Sequence, residues 1–323
     1  MEQMISNRVL VTGANGFIGR HVTPTLGREG WSVRRAVLCS EGEDNEVLIG
    51  FIGPDTDWSA ALEGIDCVVH LAARVHHKHE EHAVQLYQDV NVAGTLHLAR
   101  SAAIAGVRHF IFVSTVLVHG RSSDGRAPFS EDDPPTPQGV YGKSKAAAEA
   151  GLRTLAREHA MRISVIRPPL VYGAGAKGNF ALLTRAVSFG LPLPFAAIHN
   201  RRAFVAVQNL TSFILCRLAY PQTESNFDIF IVADQEQVST PEFIERLAKA
   251  SGKKARMFSV PPKLLSTMLG MIGQQSMQDS LMGSLQLNTS KAIATGWQPE
   301  VGLDKGLRLA LSDSTRPTTL ALY

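Results

Sequence analysis

Arg8-Val9-Leu10-Val11-Thr12-Gly13-Ala14-Asn15-Gly16-Phe17-Ile18-Gly19 begins as an apolar, β-branched run and closes on three glycines spaced three apart. The run has the length and composition of a buried parallel strand. The glycine stretch turns that strand into a helix. Gly13 permits the tight turn, Gly16 lets backbone approach a diphosphate closely, and Gly19 lets helix pack on strand. Phosphate charge then sits at the helix N-terminus. A strand, this loop and a helix, in that order at the head of a chain, predict a dinucleotide-binding unit. Pro24 falls inside the helix and predicts an irregular or kinked turn near Arg20.

Working outward, residues 32–38 (SVRRAVL), 66–73 (DCVVHLAA) and 110–115 (FIFVST) read as further strands, with helical stretches between them, an amphipathic one beginning at residue 91 (NVAGTLHLAR). Strands alternating with helices predict a Rossmann-type doubly wound parallel sheet. The small residues Ala72 and Ala73 end one strand where a flat ring can pass close to backbone. The strand at 32–38 is where the adenosine ribose of a dinucleotide is read. An Asp or Glu there would hold the hydroxyls of NAD. The chain offers Arg34 and Arg35 instead, which either face a 2′-phosphate, as NADP requires, or end as solvated charges.

Thr115 is followed, twenty-six residues on, by Tyr141-Gly142-Lys143-Ser144-Lys145. On a helix, Tyr141 and Lys145 share one face, a turn apart. An ammonium so placed is expected to lower the phenol from its ordinary value near ~10. With the Thr115 hydroxyl reaching in from the preceding strand, these groups can move a proton at a carbinol oxygen while a hydride moves at its carbon. Residues 132–137 (DDPPTP) predict a stiff loop ending where the helix begins, and residues 141–160 are strongly helix-prone.

The chain has 323 residues, 45% of them apolar and 19% charged, with a net charge of +3. That suits a globular protein with a small anionic ligand and is too weak and dispersed for nucleic acid. Cys39, Cys67 and Cys216 are odd in number and far apart, so a buried thiol at Cys67 is expected rather than a disulfide or metal site. Residues 76–82 (HHKHEEH) place His79 and His82 at helical spacing. No cysteine or carboxylate pattern supports a metal, so a solvated loop near the pocket mouth is expected. No signal peptide and no membrane-length apolar stretch is recognisable, which predicts a cytoplasmic protein.

Beyond residues 163–173 the character changes to Gly, Pro and short apolar runs. A dinucleotide-binding domain is expected over 1–170, with a returning segment at 202–237. A smaller C-terminal α/β substrate lobe is expected from 171–201 and 238–323. Residues 201–207 and 227–232 read as strands, Thr240-Pro241 as a helix start, and residues 312–323 as a frayed end.

Taken together, these motifs resemble the extended short-chain dehydrogenase/reductase family, in its NAD(P)-dependent sugar-nucleotide epimerase, dehydratase and reductase branch. The resemblance runs through residues 12–19, 70–73 (HLAA), 91–95 (NVAGT), Ser114-Thr115 with His119-Gly120, Tyr141 to Lys145, 202–209 and 296–299. It implies that Tyr141 is the acid/base, that Lys145 positions the nicotinamide ribose, and that Thr115 holds the substrate oxygen. Gly13, Asn15, Gly16, Phe17, Ile18, Gly19, Leu71, Ala72, Ala73, Ser114 and Pro168 would line the cofactor, and Arg34 or Arg35 its ribose. Arg202 would face a substrate diphosphate.

The chain also departs from the family pattern. Phe51 replaces a usual Asp near the adenine. Leu170 stands at a usual substrate Asn, whose part Asn179 is expected to take. A second diphosphate arginine has no match near residues 282–284. Val116 and Leu117 replace the Asp-Glu pair of dehydratases, which argues against dehydration. Segments at 168–173, 177–180 and 190–194 look most like a bacterial surface-polysaccharide subgroup. The expectation is therefore an NAD(P)H-dependent 4-ketoreductase of a UDP-2-acetamido-2,6-dideoxy-hexos-4-ulose, with NADP(H) or NAD(H) as cofactor, giving a quinovosamine or fucosamine form. A UDP-hexose 4-epimerase with tightly bound NAD is the alternative. A non-catalytic NADP-binding sensor or scaffold is the third reading, disfavoured because Tyr and Lys are both present. A homodimer paired through residues 88–105 and 141–160 is expected from the same resemblance.

Overall fold

A computed structural model describes residues 7–43, 45–75, 84–219, 225–271 and 281–312. The histidine run at 76–82 and the end at 313–323 therefore lie outside the described residues. The chain opens with β1 (Arg8–Thr12), α1 (Gly19–Arg28), β2 (Ser32–Val37), β3 (Glu46–Leu48), α2 (Ser59–Leu62) and β4 (Cys67–His70). α3 (Val84–Tyr87) leads through a π-helix at Gln88–Gly94 into α4 (Thr95–Ile104). β5 (His109–Val113), α5 (Gly139–Glu158), β6 (Arg162–Arg167) and β7 (Leu170–Tyr172) follow. The C-terminal part holds α6 (Asn179–Ser188), β8 (Phe204–Ala206), α7 (Val207–Ala219), β9 (Phe227–Ile231), α8 (Thr240–Ala250), α9 (Pro262–Met271), α10 (Ser290–Ala294) and α11 (Leu303–Ser312).

Seven strands form one parallel sheet in the order β3-β2-β1-β4-β5-β6-β9. Alternate residues on each strand feed opposite cores, as a two-residue period demands. Leu10, Val68, Phe110 and Phe112 pack under α4 and α5, against Leu98, Ala102, Ala148 and Leu152. Val9, Val11, Val69 and Ile111 pack under α1 and α7, against Val22, Leu26, Phe213 and Ile214. The sheet is thus covered on both faces, the doubly wound arrangement expected. β7 and β8 pair in a separate two-stranded parallel sheet. A third core, with Tyr172, Phe180, Phe243 and Leu307, lies under α6, α8 and α11. Cys67 is buried, and burial pushes its thiol up to about 12.

Three local expectations are corrected. α1 runs through Pro24 as one ten-residue helix. Thr23 and Thr25 donate side-chain hydrogen bonds to the Gly19 and His21 carbonyls, at 2.9 Å each, on either side of the missing proline N–H. Residue 91 does not begin an α-helix; it lies in the π-turns before α4. Residues 201–207 supply a three-residue strand and a bridge at Arg202, because Val207 already starts α7.

Candidate active site

β1 and β4 lie side by side at the point where strand order reverses, and ligands of open parallel sheets bind beyond the carboxyl ends there. The glycine loop leaves β1 at that edge. Gly13 holds φ +68°, and a Cβ on it would stand 2.8 Å from the Ala72 nitrogen. A Cβ on Gly19 would stand 2.2 Å from the Gly13 carbonyl oxygen, so helix and loop close only without side chains. Gly16 is exposed and meets only the Gly13 oxygen within 4 Å, at 3.1 Å. Its open side faces the space a bound diphosphate would fill. Beneath, Thr12 Oγ1 meets His70 Nδ1 at 2.6 Å and His70 Nε2 meets Thr95 Oγ1 at 2.9 Å. Burial, then the charge of Lys145, hold His70 neutral at about 3. This chain fixes Leu71, Ala72 and Ala73 beside the loop, with Ala72 N donating to Thr12 Oγ1 at 3.3 Å.

The next edge belongs to β5 and α5. Thr115 caps the short helical turn Val116–Val118, accepting a hydrogen bond from Leu117 N at 3.2 Å. α5 packs on that turn closely enough that a Cβ on Gly142 would sit 3.0 Å from the Leu117 oxygen. The glycine between Tyr141 and Lys143 thus brings Tyr141 and Thr115 to one edge of the sheet. Pro168 closes the neighbouring edge, its carbonyl accepting from Val116 N at 3.0 Å. Asn91, inside the π-helix, binds both N and O of Arg74 at 2.8 and 3.0 Å and donates to Ser144 Oγ at 3.0 Å. It ties the loop after β4 to α5.

The electrostatics differ from the sequence expectation. Tyr141 keeps some exposure, yet burial, with a smaller push from Tyr87, holds its phenol above the ordinary value. Lys145 is 1% exposed, donates to the Val113 carbonyl at 2.8 Å and lies 4.2 Å from the centre of the Phe112 ring. Burial lowers its ammonium to about 7, and the Glu149 carboxylate one turn on opposes that fall. Burial thus weakens the ammonium and raises the phenol together, so the expected lowering of Tyr141 is not a property of the pair alone.

Ser114 turns away from the path of Thr115, as successive residues of extended chain do. Its hydroxyl donates to Glu149 Oε1 at 2.5 Å. Glu149 also pairs with Arg167, whose Nη2 lies 2.5 Å and Nε 3.2 Å from Glu149 Oε2. Arg167 Nη1 reaches His119 Nε2 at 2.8 Å. This buried assembly under α5 was missed in the sequence, although Glu149 sits four residues past Lys145 and shares its helical face.

The two arginines of β2 also part. Arg34 is turned onto the end of α2, where Nη1 donates to the carbonyls of Ala60, Ala61 and Glu63 at 3.2, 3.1 and 2.7 Å. Arg35 reaches the glycine loop, donating to Asn15 Oδ1 at 2.8 Å. Three carboxylates surround it: Glu41 at 3.5 Å, Glu43 at 3.6 Å and Glu46 at 3.9 Å. The cationic seat that a 2′-phosphate needs is therefore largely neutralised. The signal was present in sequence, as the acidic run that follows β2.

In the C-terminal lobe, Asn179 and Leu170 line one cavity of about 30 Å³ with Phe204 and Phe243. Arg202 is 8% exposed and donates to the Gly283 carbonyl at 2.5 Å. Asn200 binds Thr240 N and Oγ1 and the carbonyls of Leu281 and Gly283, pinning the segments around that arginine. No group of three or more metal-ligating side chains occurs among the described residues.

A model of the NAD dependent epimerase/dehydratase family matches residues 9–233. The chain belongs to that family. It is similar to a UDP-glucose 4-epimerase of Vibrio cholerae, 35% identical over 314 residues that span 95% of each chain. A GDP-6-deoxy-D-mannose reductase of Pseudomonas aeruginosa is 26% identical over 320 residues, 96% of this chain and 97% of its own. Among solved structures, the UDP-glucose 4-epimerase of Thermus thermophilus in complex with NAD superimposes with a TM-score of 0.75 at 25% identity. That match covers 95% of this chain and 98% of the other. Membership makes the protein an NAD(P)-dependent enzyme of the epimerase and reductase type, and the glycine cradle described above fits that cofactor's diphosphate. Among the described residues, no helix is long and apolar enough to cross a membrane.

Proposed function

We propose that the protein is a C4 epimerase of UDP-hexoses or UDP-N-acetylhexosamines that retains NAD through turnover. The observation that supports it most is the 35% identity across 95% of both chains with a UDP-glucose 4-epimerase. The carboxylates around Arg35 argue in the same direction, because they disfavour a further negative charge at the ribose.

When bound, the nicotinamide supplies a hydride acceptor and donor at the sugar's C4. The chain does the rest. Tyr141, as the phenolate, takes the proton of the C4 hydroxyl and later returns one to the carbonyl oxygen. Thr115 accepts from Leu117 N in the turn, which leaves its own proton to donate to the same sugar oxygen. Lys145 carries the positive charge that favours the phenolate whenever it is protonated. Arg202 and Asn179 hold the diphosphate and the sugar nucleotide within the lobe. Val116 and Leu117 offer no acid/base pair for elimination of water.

The 4-ketoreductase expected from the sequence makes a different demand, since it consumes a reduced cofactor in every cycle. One experiment separates the two. Nucleotide released from purified, denatured protein is identified, and the protein is incubated with UDP-glucose and UDP-N-acetylglucosamine while C4 inversion is followed by NMR. NAD at near one per chain with inversion and no net redox supports the epimerase. Empty protein that oxidises NADPH only with a UDP-4-keto-6-deoxy-N-acetylhexosamine replaces it with the reductase.

A further inference from the structure

The C-terminal lobe carries a surface that the chemistry above does not use. Leu182, Phe189, Leu191, Phe258 and Leu264 are exposed by 53, 73, 51, 48 and 53%. Leu182 and Phe189 stand two turns apart on and just past α6, on one face. The chain after α6 lies along the segment before α9. Leu193 N donates to the Arg256 carbonyl at 2.9 Å, and Phe258 N to the Leu193 carbonyl at 3.0 Å. Lys253 Nζ binds the Ser188 carbonyl at 2.7 Å, directly before Phe189. Leu193 and Met257, paired between these segments, turn inward onto the lobe core, which leaves Phe258, next to Met257, to the outside; Leu191 is exposed as well.

Charge on the same segments has one sign. Residues 177–200 and 249–271 contain seven Lys and Arg, all exposed, and no Asp or Glu. Because the whole chain carries only +3, these seven leave the remainder net negative by four. Glu245, one turn before Lys249 on α8, is the nearest acidic residue in sequence.

We propose that this face docks the enzyme on an anionic lipid bilayer. Lys and Arg around a few projecting Phe and Leu are the composition of an interfacial membrane surface, with the aromatics at the headgroup level and the cations on acidic lipid. A second copy of the chain would bring seven like charges against seven. Asn179, Phe180 and Leu183 of α6 line the lobe cavity, so a docked membrane lies against the substrate lobe rather than the dinucleotide-binding sheet. The inference does not depend on whether the enzyme epimerises or reduces.

The test is flotation of the full chain with vesicles of phosphatidylglycerol and phosphatidylcholine in equal parts, beside vesicles of phosphatidylcholine alone. Binding to the first, weakened by salt and absent from the second, is expected. Phe189→Ser/Phe258→Ser and, separately, Lys254→Glu/Lys263→Glu should each lower it by roughly tenfold or more. C4 turnover of the water-soluble UDP-sugar by both variants should stay at the parent level, which also reports that they fold. No binding to acidic vesicles, equal binding to neutral ones, or variants that bind like the parent would overturn the proposal. So would variants that change the sedimentation of the chain alone, which would make the face a contact between copies.

Discussion

Glu149→Gln is the substitution with the most to say about α5, the helix that carries Tyr141 and Lys145. Glu149 and Arg167 side chains are 5% and 2% exposed, and the carboxylate takes bonds from Arg167 Nε and Nη2 and from Ser114. Replacing one partner of such a pair leaves the other charge buried without compensation, at a cost of about 3–5 kcal/mol. Against a typical total of about 5–15 kcal/mol this is a large share. At about 2–4 °C per kcal/mol for a chain of a few hundred residues, thermal unfolding should fall by about 6–20 °C. Glu149→Leu/Arg167→Met removes both charges, so most of that loss should return. Activity should divide differently. Glu149 is the charge that opposes the lowering of Lys145 below about 7, so both variants should lose the protonated lysine at lower pH. The alkaline fall of kcat should move toward acid in the single and in the double alike. The measurements are urea or thermal unfolding of the three proteins, with kcat profiled against pH. A single variant within about 1 kcal/mol of the parent, or a double variant no more stable than the single, would refute the reasoning, since the pair would then be uncoupled.

Other perturbations test other parts. Tyr141→Phe should reduce kcat by about 10²–10⁴ while unfolding temperature and cofactor content hold, as steady-state kinetics and nucleotide release would show. Gly13→Ala should lose bound nucleotide and unfold at lower temperature, because its Cβ would meet Ala72 backbone at 2.8 Å from a residue held at φ +68°; retention of nucleotide would contradict the cradle. Glu41→Gln/Glu43→Gln should free Arg35 and raise affinity for NADP relative to NAD by about tenfold, at ~1.4 kcal/mol per decade, measured by titrating both nucleotides. Burial foremost holds His70 and His109 at about 3 and His119 at about 4, against an ordinary 6.5. The unfolded chain takes up those protons first, so their contribution is full above 6.5 and is lost as pH falls toward 4. With all three titrating, the loss approaches ~4 kcal/mol per pH unit, and urea midpoints that stayed level across that window would count against it.

What could be read in the chain and what could not follow different physics. The glycine loop was legible because its requirement is steric and local: no other residue type admits the Gly13–Ala72 approach, and the strand before it declares itself by composition. Tyr141 and Lys145 were legible for the same kind of reason, since helical spacing alone puts them on one face. The β2 arginines were not. Whether Arg34 or Arg35 reaches the ribose depends on the pleat. Whether the one that does is left free for a phosphate depends on where a separate acidic loop folds back. Ser114 is turned to Glu149 by the pleat alone, one residue from Thr115.

The π-helix is the deeper case. A helix read at 3.6 residues per turn places Asn91 on whatever face the apolar stripe leaves over. The wider turn of residues 88–94 departs from that count just ahead of α4, and there Asn91 grips both backbone groups of Arg74 and the Ser144 hydroxyl of α5. π-turns of this kind concentrate at functional positions because an inserted residue survives only where something uses it. Here the use is structural and specific. Asn91 fixes the loop that leaves β4 against the helix that carries Tyr141, so the two edges of the cofactor groove cannot drift apart independently. Asn91→Ala should therefore weaken nucleotide binding and turnover together. Asn91→Asp, which keeps the acceptor for Arg74 N but loses the donors to Arg74 O and Ser144, should fall between. A variant that lost turnover with nucleotide affinity intact would place Asn91 in the chemistry instead.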